Sequence, residues 1–442
     1  MATQPDSSTA VSQVAGGAYQ TIHVTRKPPK AMTLVRGPHL HLQMLTPASK
    51  PGLKRAVLLP HRRGGQEHSQ DQRRRGDRDE AAATNSNSRQ ERRPSRKRPT
   101  RMHAATDLSE EDSYATLAGL EMGENSGMGF KLATKAVDTL FAFEPFFDRM
   151  VADAREKIVA RSDVLGVGWD ERVDRMRRNM DQLEDEYDRV LSPKVSTPAY
   201  YYAPFHCYPE GNLSWDAALE VEPSALCVHA NIYTPDKKVY ERGGDDKLRS
   251  NFHQRMRELL KGPEPKNILD IGCSTGLSTL KLAETFPSAR ITGVDLSPHM
   301  LAVGRFFLRT KEDQREARGR VEYVHAAGEM TGMAEGSMDM VSLSLTSHEL
   351  PAEATREIFR EAFRVLRPGG AISFMDMNPF SPAFQQLFKN PFAFAGFSSS
   401  EPYLQDYISI DLGKELVAAG FRNAEVRSNS PRHRTCVAYA DK

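Results

Sequence analysis

The stretch Lys266–Met300, KNILDIGCSTGLSTLKLAETFPSARITGVDLSPHM, constrains the fold more than any other part of this chain: it reads as strand, Gly-rich turn, helix and strand in succession. Asn267 to Ile271 is a short apolar run of the kind buried on both faces of a parallel sheet. The turn Gly272-Cys273-Ser274-Thr275-Gly276 lets backbone approach a ligand, because glycine tolerates conformations that other residues avoid. Leu277 to Phe286 has apolar residues at helical spacing, and its N-terminal amides point into the turn, where they attract an anionic group such as a carboxylate. Arg290 to Val294 is a second strand with Asp295 at its carboxyl edge. An acid there can accept ribose hydroxyl hydrogens in a βαβ unit, and Leu296 beside it offers an apolar face to an adenine ring.

Competing nucleoside readings separate on single residues. A dinucleotide fold, and with it an NAD-dependent oxidoreductase, wants G-x-G-x-x-G, and Ser274 stands where the second Gly belongs. A phosphate-cradling loop needs a Lys directly after its last Gly, and none follows Gly276 before Lys281. An ordinary α/β turn with no ligand is the bland alternative. The pattern D-x-G-x-x-x-G with a following acid resembles the first two motifs of the class I S-adenosylmethionine-dependent methyltransferases. Ser337-Met338-Asp339-Met340-Val341 resembles that family's fourth strand, and Phe363-Arg364-Val365-Leu366-Arg367-Pro368-Gly369-Gly370 is similar to the turn before its fifth. These motifs lie within residues 251–442. DIGCSTG, Ser347-His348-Glu349-Leu350-Pro351 and the upstream PFHCYPEGN resemble a plant and cyanobacterial subgroup.

The resemblance implies an α/β fold with a Rossmann-like, doubly wound, seven-stranded sheet, a helical N-terminal cap, and S-adenosyl-L-methionine as cofactor. It implies that Gly272, Cys273, Ser274 and Gly276 contact the methionine part, that Asp270 orients the turn, that Asp295 holds the ribose and that Leu296 lies against adenine. Many members carry an acid after the third strand, and the matching position here is Ala327. The backbone of Ala327 and Gly328, or the Glu329 side chain, must substitute for it.

Charge is divided unevenly along the 442 residues. Residues 1–101 carry 20 Lys and Arg against 7 Asp and Glu, and the remainder carries 40 against 51, so no nucleic acid is expected to bind the folded body. Four scattered cysteines without C-x-x-C spacing argue against structural zinc. No apolar run is long enough to span a bilayer, so no transmembrane segment is expected.

Residues 1–105 are expected to form a disordered basic tail, 106–245 a helical cap region and 246–442 the sheet domain. The tail's early hydroxyl-rich, acid-poor composition has the character of a transit peptide, implying a chloroplast address, with mitochondrion or cytoplasm as alternatives. Its Arg-rich run from Arg62 to Arg101 also reads as a solvated linker, a nuclear address or a nucleic-acid patch. Helical periodicity runs through Phe130–Arg161 and Trp169–Leu191, and again through 216–228 and 246–260. Between them, Pro198–Trp215 is a loop rich in aromatic residues that must pack against something. It is either a strap over the helices or a lid over a flat substrate, with Tyr202, His206 and Tyr208 as substrate contacts and Glu210 as a further polar group.

Methyl transfer from a sulfonium needs alignment and exclusion of water, with no covalent nucleophile. An oxygen or acidic-carbon acceptor must also lose a proton, so His348 and Glu349, at the end of the fourth strand, are the candidate catalytic groups, with His433 a lesser candidate. The expected reaction is methylation of an oxygen or carbon of a small molecule such as a quinone, phenol or lipid-like compound. An inactive S-adenosylmethionine-binding module and a nucleic-acid methyltransferase are the alternatives.

Overall fold

The computed structural model describes residues 144–442 except 207, 235–238 and 399. The chain divides into two units, residues 1–94 and 95–442, and every described residue belongs to the second. The expected disordered tail, its targeting and linker readings, and the helical pattern before residue 144 lie outside the described residues.

Among the described residues five α-helices precede the sheet: α1 (Glu144–Leu165), α2 (Trp169–Arg177), α3 (Met180–Val190), α4 (Trp215–His229) and α5 (Gly244–Leu259). The single helix expected over Trp169–Leu191 is broken at Asn179. Its side-chain amide donates to Arg175 O at 2.7 Å, a local bond that competes with the helical ladder.

The order then alternates: β1 (Asn267–Ile271), α6 (Leu277–Thr285), β2 (Arg290–Asp295), α7 (Pro298–Thr310), β3 (Val321–His325), β4 (Met338–Ser344), α8 (Ala352–Val365) and β5 (Leu366–Met377). Three short helices, α9 (Pro382–Phe388), α10 (Pro391–Ser398) and α11 (Leu404–Ser409), lead to α12 (Leu412–Ala418), β6 (Phe421–Ser428) and β7 (His433–Ala440). The seven strands form one sheet in the order β3-β2-β1-β4-β5-β7-β6. β7 runs antiparallel to both neighbours and the other pairings are parallel.

β1 and β4, at the centre, are buried over almost their whole length, as their apolar runs require. One side of the sheet packs α8 through Ala354, Ile358, Phe359 and Ala362 together with Phe374 and Leu416, and the other packs Leu248, Phe252 and Leu282 against Ile268 and Met340. A third cluster joins Trp169, Val173, Met176 and Leu183 to Phe306 and Phe307 of α7, which ties the early helices to the sheet unit. Strand order reverses direction between β1 and β4, and a doubly wound sheet opens its ligand crevice at the carboxyl ends of strands on either side of such a switch. Among the described residues no helix is long and apolar enough to cross a membrane.

Candidate active site

The crevice is built first by the turn after β1. Gly272 has φ +71, and a Cβ there would come within 2.6 Å of the Thr346 side chain in the loop after β4, so only glycine lets the two loops close together. Ser274 also lies in the left-handed region, at φ 51, and its N–H donates to Asp295 Oδ2 at 2.8 Å. Ser297 N–H donates to Asp295 Oδ1 at 2.8 Å. The acid at the end of β2 is thereby locked beside the turn after β1. Burial pushes its carboxyl above the usual range, against the pull of the Ser297 and Ser274 amides.

Asp270 acts on the turn from behind it. Its carboxylate is fully buried behind the turn, where Oδ2 accepts from Ser278 and Thr279 hydroxyls, each at 2.7 Å, and thus pins the start of α6. Burial raises its pKa to about 6. Gly276, at φ +87, ends the turn, buried beside the Tyr323 hydroxyl.

The other wall comes from the ends of β4 and β5. His348 lies in a short turn, Ser347–Glu349, and its Nδ1 is 2.7 Å from Asp376 Oδ1 while its N–H donates to Asp376 Oδ2 at 3.2 Å. This clamp fixes the imidazole and leaves Nε2 as the nitrogen for another partner. Burial works to lower the His348 pKa, and the Asp376 carboxylate outweighs it, lifting it to about 10. At neutral pH the ring is an imidazolium. Next to it, burial pushes the Glu349 carboxyl up to about 7, against the attraction of His206 and His348. His206 Nε2 stands 3.6 Å from Glu349 Oε1 and 3.2 Å from Glu401 Oε1. Desolvation disfavours its charge, but Glu401 and Glu349 prevail and raise its pKa.

The aromatic segment is both strap and wall. Tyr208 hydroxyl donates to Glu220 of α4, which also forms a two-pronged ion pair with Arg155 of α1 at 2.6 and 2.7 Å. Tyr201 hydroxyl donates to Asp295 Oδ1 at 3.2 Å, Tyr200 hydroxyl to Glu329 Oε1 at 2.5 Å, and Tyr403 hydroxyl to Tyr200 O at 2.8 Å. Ser297 hydroxyl donates to Asn212 O at 2.6 Å. Tyr202, expected to touch substrate, instead points outward at 61% exposure. The strap's helical turn over Ala199–Tyr202 gives its neighbours Tyr200 and Tyr201 to the interior.

A cavity of about 450 Å³ lies between these walls, within the range of small-molecule sites. It is lined by Gly272, Cys273, Ser274, Asp295, Leu296 and Gly328 on one side and by His206, Tyr208, His348, Glu349 and His433 on another. Ala327 does not line it: the chain there pairs backbone with Met330, and Gly328 and Glu329 form the wall. Glu329 Oε2 is buried without a hydrogen-bond partner. Sequence reasoning missed Tyr200, Tyr201, Asp376 and Glu401. Asp376 was findable as an acid near the carboxyl end of a strand adjoining the His348 loop; nothing local marks Glu401. Among the described residues no group of His, Cys, Asp or Glu has the arrangement of a metal site.

A methyltransferase-domain family model matches residues 268–370. The chain is 32% identical over 180 residues to an uncharacterized methyltransferase of Synechocystis, a match covering 40% of this chain and 76% of that one. It is 29% identical over 151 residues to the demethylmenaquinone methyltransferase of Listeria welshimeri, spanning 34% of this chain and 61% of that enzyme's length. The Chlorobaculum parvum demethylmenaquinone methyltransferase is also 29% identical, over 198 residues, covering 41% and 77%. Among solved structures, the chain is similar to a Haemonchus contortus phosphoethanolamine N-methyltransferase in complex with S-adenosyl-L-methionine, at 16% identity, 53% and 62% coverage and a TM-score of 0.36. With a Gly-rich turn facing a buried acid at the sheet's switch point, and with 32% identity over 76% of the Synechocystis methyltransferase, the chain belongs to the class I S-adenosylmethionine-dependent methyltransferases.

Proposed function

We propose that the protein methylates an acidic hydroxyl, phenolic or quinol-like, of a small molecule. The observation that carries this is the meeting of Glu349 and the His348–Asp376 pair with the donor turn in one largely apolar cavity whose wall includes Tyr200, Tyr201 and Phe205. The residues present fit S-adenosyl-L-methionine: Gly272 and Ser274 form a cradle open to the methionine part, Asp295 suits the ribose, and Leu296 offers an apolar face to adenine. The orphaned Glu329 Oε2 suits the adenine amino group in place of the acid missing at Ala327. When bound, that cofactor supplies an electrophilic methyl group.

The remaining work falls to the chain's own side chains. Glu349, poised near pH 7, accepts the hydroxyl proton, since a base works best when its pKa lies near the working pH. The His348 imidazolium, held by Asp376, donates through Nε2 to the oxygen as negative charge builds on it. Tyr200, Tyr201 and Phe205 provide flat apolar wall and exclude water.

The test is a panel of phenols and quinols incubated with labelled donor, with products identified by mass spectrometry. A methyl ether is expected, and kcat/KM should rise to a plateau with an apparent pKa near 7. Glu349→Gln should abolish that limb and slow turnover by about 10²–10⁴-fold. Exclusive N-methylation, or a Glu349→Gln enzyme as fast as wild type, would refute the assignment. We also propose that residues 1–105 form a chloroplast-targeting and linker segment. A fluorescent fusion of those residues that stays outside the organelle would count against it.

A further inference from the structure

The cavity wall continues from the donor turn to α4 and to the turn between β6 and β7, where it includes Arg432 and His433. Arg432 is fixed by its backbone: its N–H donates to Ser430 Oγ at 3.1 Å and its carbonyl accepts from Asn378 N–H at 2.7 Å. Its guanidinium is half-buried, and among the described residues no carboxylate pairs with it. Arg161 of α1 is in the same condition. Its Nη1 donates to Cys227 O at 2.8 Å and its guanidinium sits 5.0 Å above the Tyr240 ring, but Nε is buried with no partner. Burial and then the positive charge of Arg161 push the Arg432 pKa down, although Arg161 itself does not line the cavity.

Nearby acids are already taken. Asp245 pairs with Arg249 at 3.0 Å and with His229 at 2.7 Å, and Asp376 is held by His348. His433 cannot serve as counter-charge. Its Nδ1 is 2.7 Å from Ser430 Oγ, and burial keeps the ring neutral. The Arg432 guanidinium therefore lacks a compensating carboxylate in the cavity wall, an arrangement that costs free energy unless a ligand brings the opposite charge. A planar guanidinium fork is matched in geometry by a carboxylate or a phosphate.

We propose that Arg432 is an oxyanion subsite, and that the methyl acceptor carries a carboxylate or phosphate in addition to its reacting hydroxyl. This rests on the assignment of the cavity as the acceptor site. The subsite sorts substrates: a neutral quinol fills the aromatic wall but leaves Arg432 unpaired, whereas a hydroxylated aromatic acid or phosphate ester satisfies both features.

Calorimetry on the full chain tests this without relying on turnover. The protein is first titrated with S-adenosylhomocysteine, then in its presence with 4-hydroxybenzoate, 4-hydroxybenzamide and inorganic phosphate. At least one anion should bind about tenfold or more tightly than the amide, the scale of a charge-assisted hydrogen bond. The benzoate and phosphate arms distinguish the two anion sources. Arg432→Gln should bring the anion and amide affinities together, and Arg432→Lys should restore part of the difference. Retained affinity for S-adenosylhomocysteine shows that each variant is folded. Equal binding of anion and amide by wild type, no saturable binding of either anion, or a preference that survives Arg432→Gln would overturn the subsite. Failure of wild type to bind S-adenosylhomocysteine would instead strike the donor-site assignment, and the anion titration is then read on the chain alone.

Discussion

His348 and Asp376 form a buried pair whose shared proton bears on stability. The His348 pKa is about 10 in the folded protein, against about 6.5 for an unperturbed histidine. A raised histidine contributes stability that is fully present below about pH 6.5 and is lost as pH climbs through the folded value. Urea unfolding across this window should therefore show stability falling with rising pH. Asp376→Asn should flatten that fall, and an unchanged slope would mean that Asp376 is not what holds the proton. Glu349 titrates lower, near 7, so its contribution is separable from the alkaline part of the window. Neither residue's role was fully legible from its neighbours in sequence. His348 was visible as a polar residue at a strand end, but its partner lies on another strand, and only tertiary placement decides whether such a histidine is a base or a fixed cation.

At the level of the element, the donor loop depends on backbone that admits no side chain. A Cβ on Gly276 would lie 1.8 Å from the Tyr323 hydroxyl, with φ already at +87. Gly276→Ala should destabilise the protein by about 1–3 kcal/mol. Tyr323→Phe in the same chain should recover only part of this, because removing the hydroxyl relieves the 1.8 Å contact but leaves the ring Cζ at 2.7 Å and the strain in φ; thermal or chemical denaturation of the single and double variants measures the recovery. This βαβ unit was the most readable part of the sequence because its apolar runs, glycines and strand-end acid all point to one geometry. The region between β5 and α12 was not. Its helices span two turns or fewer and are apolar on several sides, so no 3.6-residue period emerges; Phe384, Phe394 and Tyr407 are held by the core. The caps were there to be read: Ser381 Oγ accepts from Phe384 N–H at 3.3 Å and Asn390 Oδ1 from Ala393 N–H at 3.1 Å, each cap followed by proline.

On the scale of the molecule, strand order brings the loops after β1, β2 and β4 to one edge of the sheet, and the aromatic segment lies across them. A ligand seated there is bound by the folded chain and not by the unfolded one. S-adenosylhomocysteine at about 100 times its Kd should raise the unfolding free energy by about 2.7 kcal/mol. Asp295→Ala should require correspondingly more ligand for the same rise in Tm, and an unshifted titration would remove Asp295 from the ribose contact. The sheet and its donor edge could be anticipated from motifs spread over residues 251–442, whereas the acceptor wall is assembled from helices, strap and β-turn that no single motif spans.

Tyr200 and Tyr201 would also make the proposed donor and acceptor sides of the cavity thermodynamically dependent on each other. They touch Glu329 and Asp295 on the donor side while belonging to the same short segment as Phe205 and His206 on the acceptor side. A donor that repositions this segment changes the acceptor's affinity, and by reciprocity of linked equilibria the acceptor changes the donor's affinity by the same factor. Donor and acceptor constants in this protein are then properties of one shared wall, to be measured as a pair.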